Sequence, residues 1–332
     1  MTALFVAALF ANVGMGAVEI PPAQAVAIVL SHMGFDVGVQ FEPRTDAIFW
    51  NIRLPRVVLG ILVGGSLGVA GAALQGVFRN PLAEPGIIGV SSGAAAGAVG
   101  AIVLGFSVFN VHGVAVAAFL CGLFATTVVY MVARVYGQTA VTTLILAGIA
   151  VNATAGSVTG LFVFIAADDQ LRSITFWTLG YVGGATWPVI GSVLPFFIVG
   201  FLLLPLWSRS LNLLTLGDRE ARHMGVSTER VRFSVIVLGA LLTGAAVSVS
   251  GIISFVGLVV PHVIRLVAGP DHRFLLPASI LGGAIALLLA DLVARTIVVP
   301  AELPLGVVTA MIGGPFFLWL VHRTRARWGG VE

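Results

Sequence analysis

The chain has no lysine: all 17 of its basic side chains are arginine. A Walker A loop needs Gly-Lys-Ser/Thr to hold phosphates, so this chain has no such site for ATP. A lysine Schiff base is excluded for the same reason. There is one cysteine, Cys121, set in an apolar run. That excludes an internal disulfide and argues against a cysteine-built metal site. Charge of either sign is scarce. Only 9% of the 332 residues are charged, against about 25% in a soluble domain. So few charges cannot clothe a water-facing surface. No His/Cys/Met cluster stands at metal-ligand spacing, so no metal or other cofactor is expected on this chain. No paired carboxylates, histidine cluster or nucleophile–base spacing marks an enzyme.

What the chain has is apolar sequence. It is 58% hydrophobic with a mean hydropathy of +1.08. Its 41 glycines suit close helix approach in a bilayer. The expected fold is all-α: a polytopic membrane protein of about ten spans, one transmembrane domain over residues 1–332. A span needs about 20 apolar residues, and ten runs qualify: Thr2–Val18, Pro55–Val77, Gly86–Phe106, Gly113–Ala133, Thr142–Ala166, Pro188–Trp207, Phe233–Val249, Ile252–Val267, Phe274–Val293 and Leu305–Val321. The first could be read as a signal peptide, but it lacks the basic leading region that such a peptide wants. The eighth is short and interrupted by Pro261.

Arginine counts orient the spans. One face collects Arg79, Arg134, Arg209, Arg219, Arg222, Arg230, Arg232, Arg265, Arg273, Arg323, Arg325 and Arg327; the other only Arg44, Arg53, Arg56, Arg172 and Arg295. The richer face is cytoplasmic by the positive-inside rule. Both termini then lie inside, and the outer side receives the segments Glu19–Leu54 and Ala167–Trp187. A weak internal repeat fits this topology. "GGSLGVAGAALQGVFRNPLAEP" (Gly64–Pro85) and "GALLTGAAVSVSGIISFVGLVVP" (Gly239–Pro261) share small residues at similar spacing. Spans two to five and seven to ten would be inverted repeats, a common transporter plan.

The largest cytoplasmic segment, 208–232, reads as two short helices around a turn at Gly217, with Asp218 as N-cap of the second and Gly225 at its end. Its leucines, among them Leu213 and Leu216, are too apolar for a plain solvated loop. Arg219, Glu220 and Arg222 form a charged rim. It reads as a docking knob for a soluble partner, or as an amphipathic segment lying on lipid. Within the spans, Asp291 is explained by an i,i+4 pair with Arg295. His262, after Pro261, is explained by a carbonyl that the proline frees.

Several stretches closely resemble the permease subunits of bacterial ATP-binding-cassette importers for iron chelates, haem and cobalamin. They are "RLPRVVLGILVGGSLGVAGAALQGVFRNPLAEPGIIGVSSGA" (Arg53–Ala94), "LGDREARHMGV" (Leu216–Val226), "GIISFVGLVVPHVIRL" (Gly251–Leu266) and "ELPLGVVTAMIGGPFFLWLV" (Glu302–Val321). The resemblance covers nearly all of the chain from about Ile48 to His322. It implies a homodimer in the bacterial inner membrane. Two copies of a separate ATPase, which binds ATP and Mg, would sit beneath it. A periplasmic or lipid-anchored binding protein would dock above.

The residues that match the family's coupling helices are Leu213, Leu216, Gly217, Asp218, Arg219, Glu220, Ala221, Arg222, Met224 and Gly225. Arg53, Arg56 and Arg295 match arginines that meet acidic residues of the binding protein. Asn80 and Leu82 match an inner constriction. Val141 and Thr142 match a second one, although valine at 141 departs from the polar pattern. "FRNPLAEPGIIGVSSGAA" (Phe78–Ala95) looks closest to haem permeases. A pathway of Gly, Ala, Val and Leu with scattered hydroxyls suits a large, mostly apolar cargo. The expected cargo is haem, with ferric siderophore and cobalamin as alternatives. An ion-coupled secondary carrier, the rival from another class, needs midplane ion sites that this sequence hardly offers.

Overall fold

The computed structural model describes every residue except 17, 36–37, 107–111, 136, 299–300 and 329–332. Among the described residues, six helical stretches are long and apolar enough to cross a bilayer: Pro43–Phe78, Gly113–Ala133, Val141–Ile165, Trp187–Leu214, Thr228–Ser250 and His272–Thr296. Four shorter apolar helices accompany them, Thr2–Gly14, Val90–Val103, Val256–Ala268 and Leu305–Trp319. These correspond in order to the ten runs expected from the sequence.

In chain order, α1 (Thr2–Gly14) is followed by two outer helices, α2 (Pro22–His32) and α3 (Pro43–Ile48). A π-turn, Phe49–Arg53, carries α3 straight into α4 (Leu54–Phe78). Next come α5 (Val90–Val103) and α6 (Gly113–Ala133). A two-residue hairpin, β1 (Arg134–Val135) and β2 (Gln138–Thr139), leads to α7 (Val141–Ile165). The outer α8 (Asp168–Leu179) and the spanning α9 (Trp187–Leu203) complete the first half. The short pair α10 (Ser208–Leu214) and α11 (Asp218–His223) follows at the end expected to be cytoplasmic. The second half is α12 (Thr228–Ser250), α13 (Val256–Ala268), α14 (His272–Thr296) and α15 (Leu305–Trp328).

α4 is the central element and is buried along nearly its whole length. Its glycines make this possible. A Cβ on Gly64 would run into the Gly283 carbonyl of α14, and one on Gly71 into the Gly257 carbonyl of α13. Without side chains there, backbones touch, which is how membrane helices gain packing where lipid removes the hydrophobic drive. The contacts at Gly60–Leu288, Gly64–Gly283 and Gly68–Ser279 step in opposite directions along the two chains, so α4 and α14 are antiparallel.

The two halves pack equivalently. α4 lies on α12 and α14, and α12 lies on α4 and α6. α5 packs on α6 and α12, and α13 on α14 and α4. The equivalence extends to how the short helices start. α5 is N-capped by Gly89 at φ 82 and α13 by Phe255 at φ 68, both left-handed. Each short helix therefore begins within the bundle, after irregular backbone that other helices cover, as a membrane interior demands.

Three boundaries differ from the sequence reading for physical reasons. α5 starts at Val90 rather than Gly86 because Pro85–Ile88 forms a separate 3-10 turn ended by Gly89. α12 starts at Thr228, five residues before Phe233, because its charged first turn is neutralised by pairing rather than left at the interface. Asp218 is not the N-cap of α11. Gly217 holds that position at φ 120, and Asp218 is the first helical residue.

Candidate gate, coupling and outer sites

At the end expected to be cytoplasmic, α10 and α11 are pinned by their apolar undersides. Leu211 and Leu214 are 0% and 1% exposed, and Ala221 is fully buried. Leu213 is half-buried against the same core. The opposite side leaves apolar residues uncovered by the rest of the chain: Leu216 is 61% and Met224 is 48% exposed. Arg219, Glu220, Arg222 and Gly225 are exposed around them. α11 ends at His223, and Gly225 follows at φ 83, the left-handed position expected after a helix. The segment thus has a fixed base, two projecting apolar side chains and a charged rim.

Asp218 faces inward and lies 2.5 Å from Arg232. Burial opposes its ionisation, but the hydrogen bond and charge of Arg232, with Arg79 and Arg222 nearby, hold its carboxyl below the usual range. Arg232 is buried and also binds Glu229 at 3.1 Å. Neither Arg232 nor Glu229 stood out in the sequence as more than interface charge. Their partners lie on α11 and at Thr139, which sequence spacing does not reveal.

The residues expected to form the gate sit at the same end. Asn80 Oδ1 accepts the backbone N–H of Leu82 at 2.9 Å, a local turn that leaves Leu82 exposed. Val141 opens α7 and packs in the apolar cluster that contains Phe78 and Ala83, the residues flanking this turn. Thr142 is exposed beside it. Deeper in, a cavity of about 290 Å³ opens between the starts of α5 and α13, lined by Glu84, Ser91, Ser92, Asn152, Thr243 and Ser254 among others. The Thr243 hydroxyl and the Asn152 Oδ1 have no hydrogen-bond partner.

The three outer arginines turn inward. Arg53, 7% exposed, donates to the carbonyls of Val13 and Val18 at 2.6 Å each and so caps the end of α1. Arg56, 8% exposed, grips Asp291 bidentately, with Nη2 at 2.8 Å from Oδ1 and Nε at 3.1 Å from Oδ2. Its Nη1 reaches Glu302 at 2.9 Å. Arg295 donates to the Asn12 carbonyl at 2.5 Å. Its ion pair with Asp291 is long, at 3.8 Å. The i,i+4 pair expected from the sequence therefore exists, but Arg56 is the main partner of Asp291. Burial opposes ionisation of Glu302 as well, yet its bond to Arg56 keeps that carboxyl below the usual range. Three guanidinium groups against two carboxylates leave the cluster positive. His262 does not cap a freed carbonyl: neither ring nitrogen has a hydrogen-bond partner, and the ring meets Phe316 edge-on.

Residues 4–323 match the FecCD transport family. The chain is 46% identical over 290 residues to the hemin transport system permease protein HmuU of Yersinia pestis, covering 85% of each. It is 45% identical over 286 residues to the cobalamin import system permease protein BtuC of Halobacterium salinarum, covering 86% of this chain and 76% of that one. Among solved structures, it superposes on a metal-chelate-type ABC transporter in an inward-facing conformation with a TM-score of 0.85, 32% identity and 97% coverage of both chains.

Proposed function

The chain belongs to the FecCD transport family, and from that premise we propose that it carries haem inward across the bacterial plasma membrane as the permease of an ATP-driven importer. It works as a homodimer by alternating access and does no chemistry on its cargo. The observation that carries the ATP-driven part is the coupling segment. Leu216 and Met224 project into water from helices whose other side is locked in the core, a surface that gains only when a soluble partner covers it. The hydrolysis of ATP belongs to that partner.

Haem as cargo is supported by the likeness to the Yersinia hemin permease. The cavity between the starts of α5 and α13 is in keeping with that: apolar residues such as Leu67, Ile87, Ile252 and Phe255 share its lining with hydroxyls, an amide and one carboxyl, and no histidine is among the residues around it. A wall of this kind passes a large flat ligand along without capturing its iron. The likeness to a cobalamin permease at 45% identity favours a corrinoid as the second reading. Both readings place discrimination in the receptor.

On the outer side, the binding protein docks on the positive cluster of Arg53, Arg56 and Arg295. Its carboxylates meet the surplus charge rather than three free side chains. Proteoliposomes holding the permease and its cognate ATPase, fed by the cognate receptor, should accumulate haem only with ATP. Uptake of cobalamin or a ferric siderophore but not haem would overturn the cargo assignment. Uptake without ATP would overturn the importer reading.

A further inference from the structure

A single chain of charged contacts joins the coupling helices to both gate turns. Asp218, in the first turn of α11, offers one carboxylate oxygen to each of two arginines. Oδ2 accepts Nη2 of Arg232 at 2.5 Å. Oδ1 lies 3.7 Å from Nη2 of Arg79, beyond hydrogen-bond range, and has no other hydrogen-bond partner. Arg79 ends α4 in the left-handed conformation at φ 50 and is followed directly by Asn80. Whatever moves Arg79 therefore moves the turn in which Asn80 holds Leu82.

The other branch is tighter. Arg232, buried at the start of α12, donates through Nη1 to Glu229 Oε1 at 3.1 Å and to the Thr139 carbonyl at 3.3 Å. Glu229 Oε2 then accepts both the backbone N–H of Thr139 at 2.8 Å and its hydroxyl at 2.7 Å. Thr139 closes β2, and α7 begins two residues later with Val141. Short, charge-assisted and largely buried bonds transmit displacement with little slack. An exposed pair at 3.7 Å yields before it pulls.

We infer that Asp218 is the node through which displacement of the coupling helices reaches both gate turns. One branch runs loosely through Arg79 to Asn80–Leu82, and the other runs tightly through Arg232 and Glu229 to Thr139 and the start of α7. The inference rests on the importer reading above. It makes Arg79, Glu229, Arg232 and Thr139 positioning residues that act on gates they do not form.

The branches can be cut one at a time. In a Cys121→Ser background, a nitroxide at Leu82→Cys or at Thr142→Cys reports the distance between the two copies in the complex with the cognate ATPase. No cargo is needed. ATP with vanadate should shift both distances in the otherwise unsubstituted permease. Asp218→Asn should abolish both shifts, Arg79→Gln only that at 82, and Glu229→Gln only that at 142. Where Glu229→Gln does not assemble, Thr139→Val removes just the hydroxyl contact and should reduce the shift at 142 alone. Normal shifts at both positions in Asp218→Asn would overturn the inference. So would equal loss at both positions in the single-branch variants, because the network would then hold the fold rather than sort the motion. Failure of the otherwise unsubstituted permease to bind the ATPase or to respond to ATP would bring down the importer reading, and this inference with it.

Discussion

Arg56 is where the sequence and the structure say different things about one side chain. At the mouth of a span, an arginine reads as an interface charge, free to reach headgroups or a partner. Its acceptors, Asp291 and Glu302, are more than 230 positions away, and no local pattern announces a contact of that range. The packing of α4 on α14 creates it. Removing one partner of a buried pair leaves the other charged and unsolvated, at a cost of about 3–5 kcal/mol. Arg56→Met should therefore lower the thermal midpoint of the detergent-solubilised protein sharply. Arg56→Met with Asp291→Leu should recover part of that loss, because the Asp291 carboxylate is then no longer stranded, while Glu302 and Arg295 each still lose a partner. A double variant no more stable than the single one would mean that the pair fixes helix register and is not replaceable by apolar packing. Arg53 shows the same limit: its role as a cap for α1 depends on carbonyls that only the folded turn presents.

The elements were far more legible than their contacts. Ten apolar runs read as ten apolar helices, because the bilayer imposes length and composition on any span. The two short helices around Gly217 were legible too, since a turn glycine between apolar and charged stretches outside a span marks a helix–turn–helix. The outer helices α2, α3 and α8 were not foreseen. They are short and weakly patterned, and α8 depends on Gln170 accepting the backbone N–H of Ala167. Among the elements, the α10–α11 pair offers the most direct test. Leu216→Asp or Met224→Asp should weaken capture of the ATPase in a pull-down roughly tenfold or more, as expected when an interface anchor is replaced by an unpaired charge. Insertion and folding should survive, because both side chains point away from the core. Undiminished capture by both variants would remove these residues from the docking surface.

At the scale of the whole molecule, the α10–α11 end, which the arginine count makes the cytoplasmic one, carries uncovered apolar side chains, whereas the opposite end carries a paired cluster with a net positive charge. The two partners should therefore bind by different physics. Receptor binding should weaken with salt, as the attraction between the positive cluster and an acidic receptor face is screened over about 8–10 Å at ordinary ionic strength. Arg295→Gln, which gives up only a 3.8 Å ion pair and keeps an amide to reach Asn12, should flatten that salt dependence; an unchanged slope would move docking elsewhere on the outer face. In the proposed importer, ATP would have to favour one access state by several kcal/mol to switch the permease cleanly, and the paired halves of the bundle are the parts it would rearrange. Those halves match in packing but not in how their short helices are hung. Gly89 adopts its left-handed angle without strain, whereas Phe255 holds the same kind of angle against a penalty of about 1–2 kcal/mol. The entrance of α5 is thus a slack joint and that of α13 a loaded spring. A molecule built as a near-symmetric pair would then flex lopsidedly, with one half following the load and the other storing part of it for the return stroke.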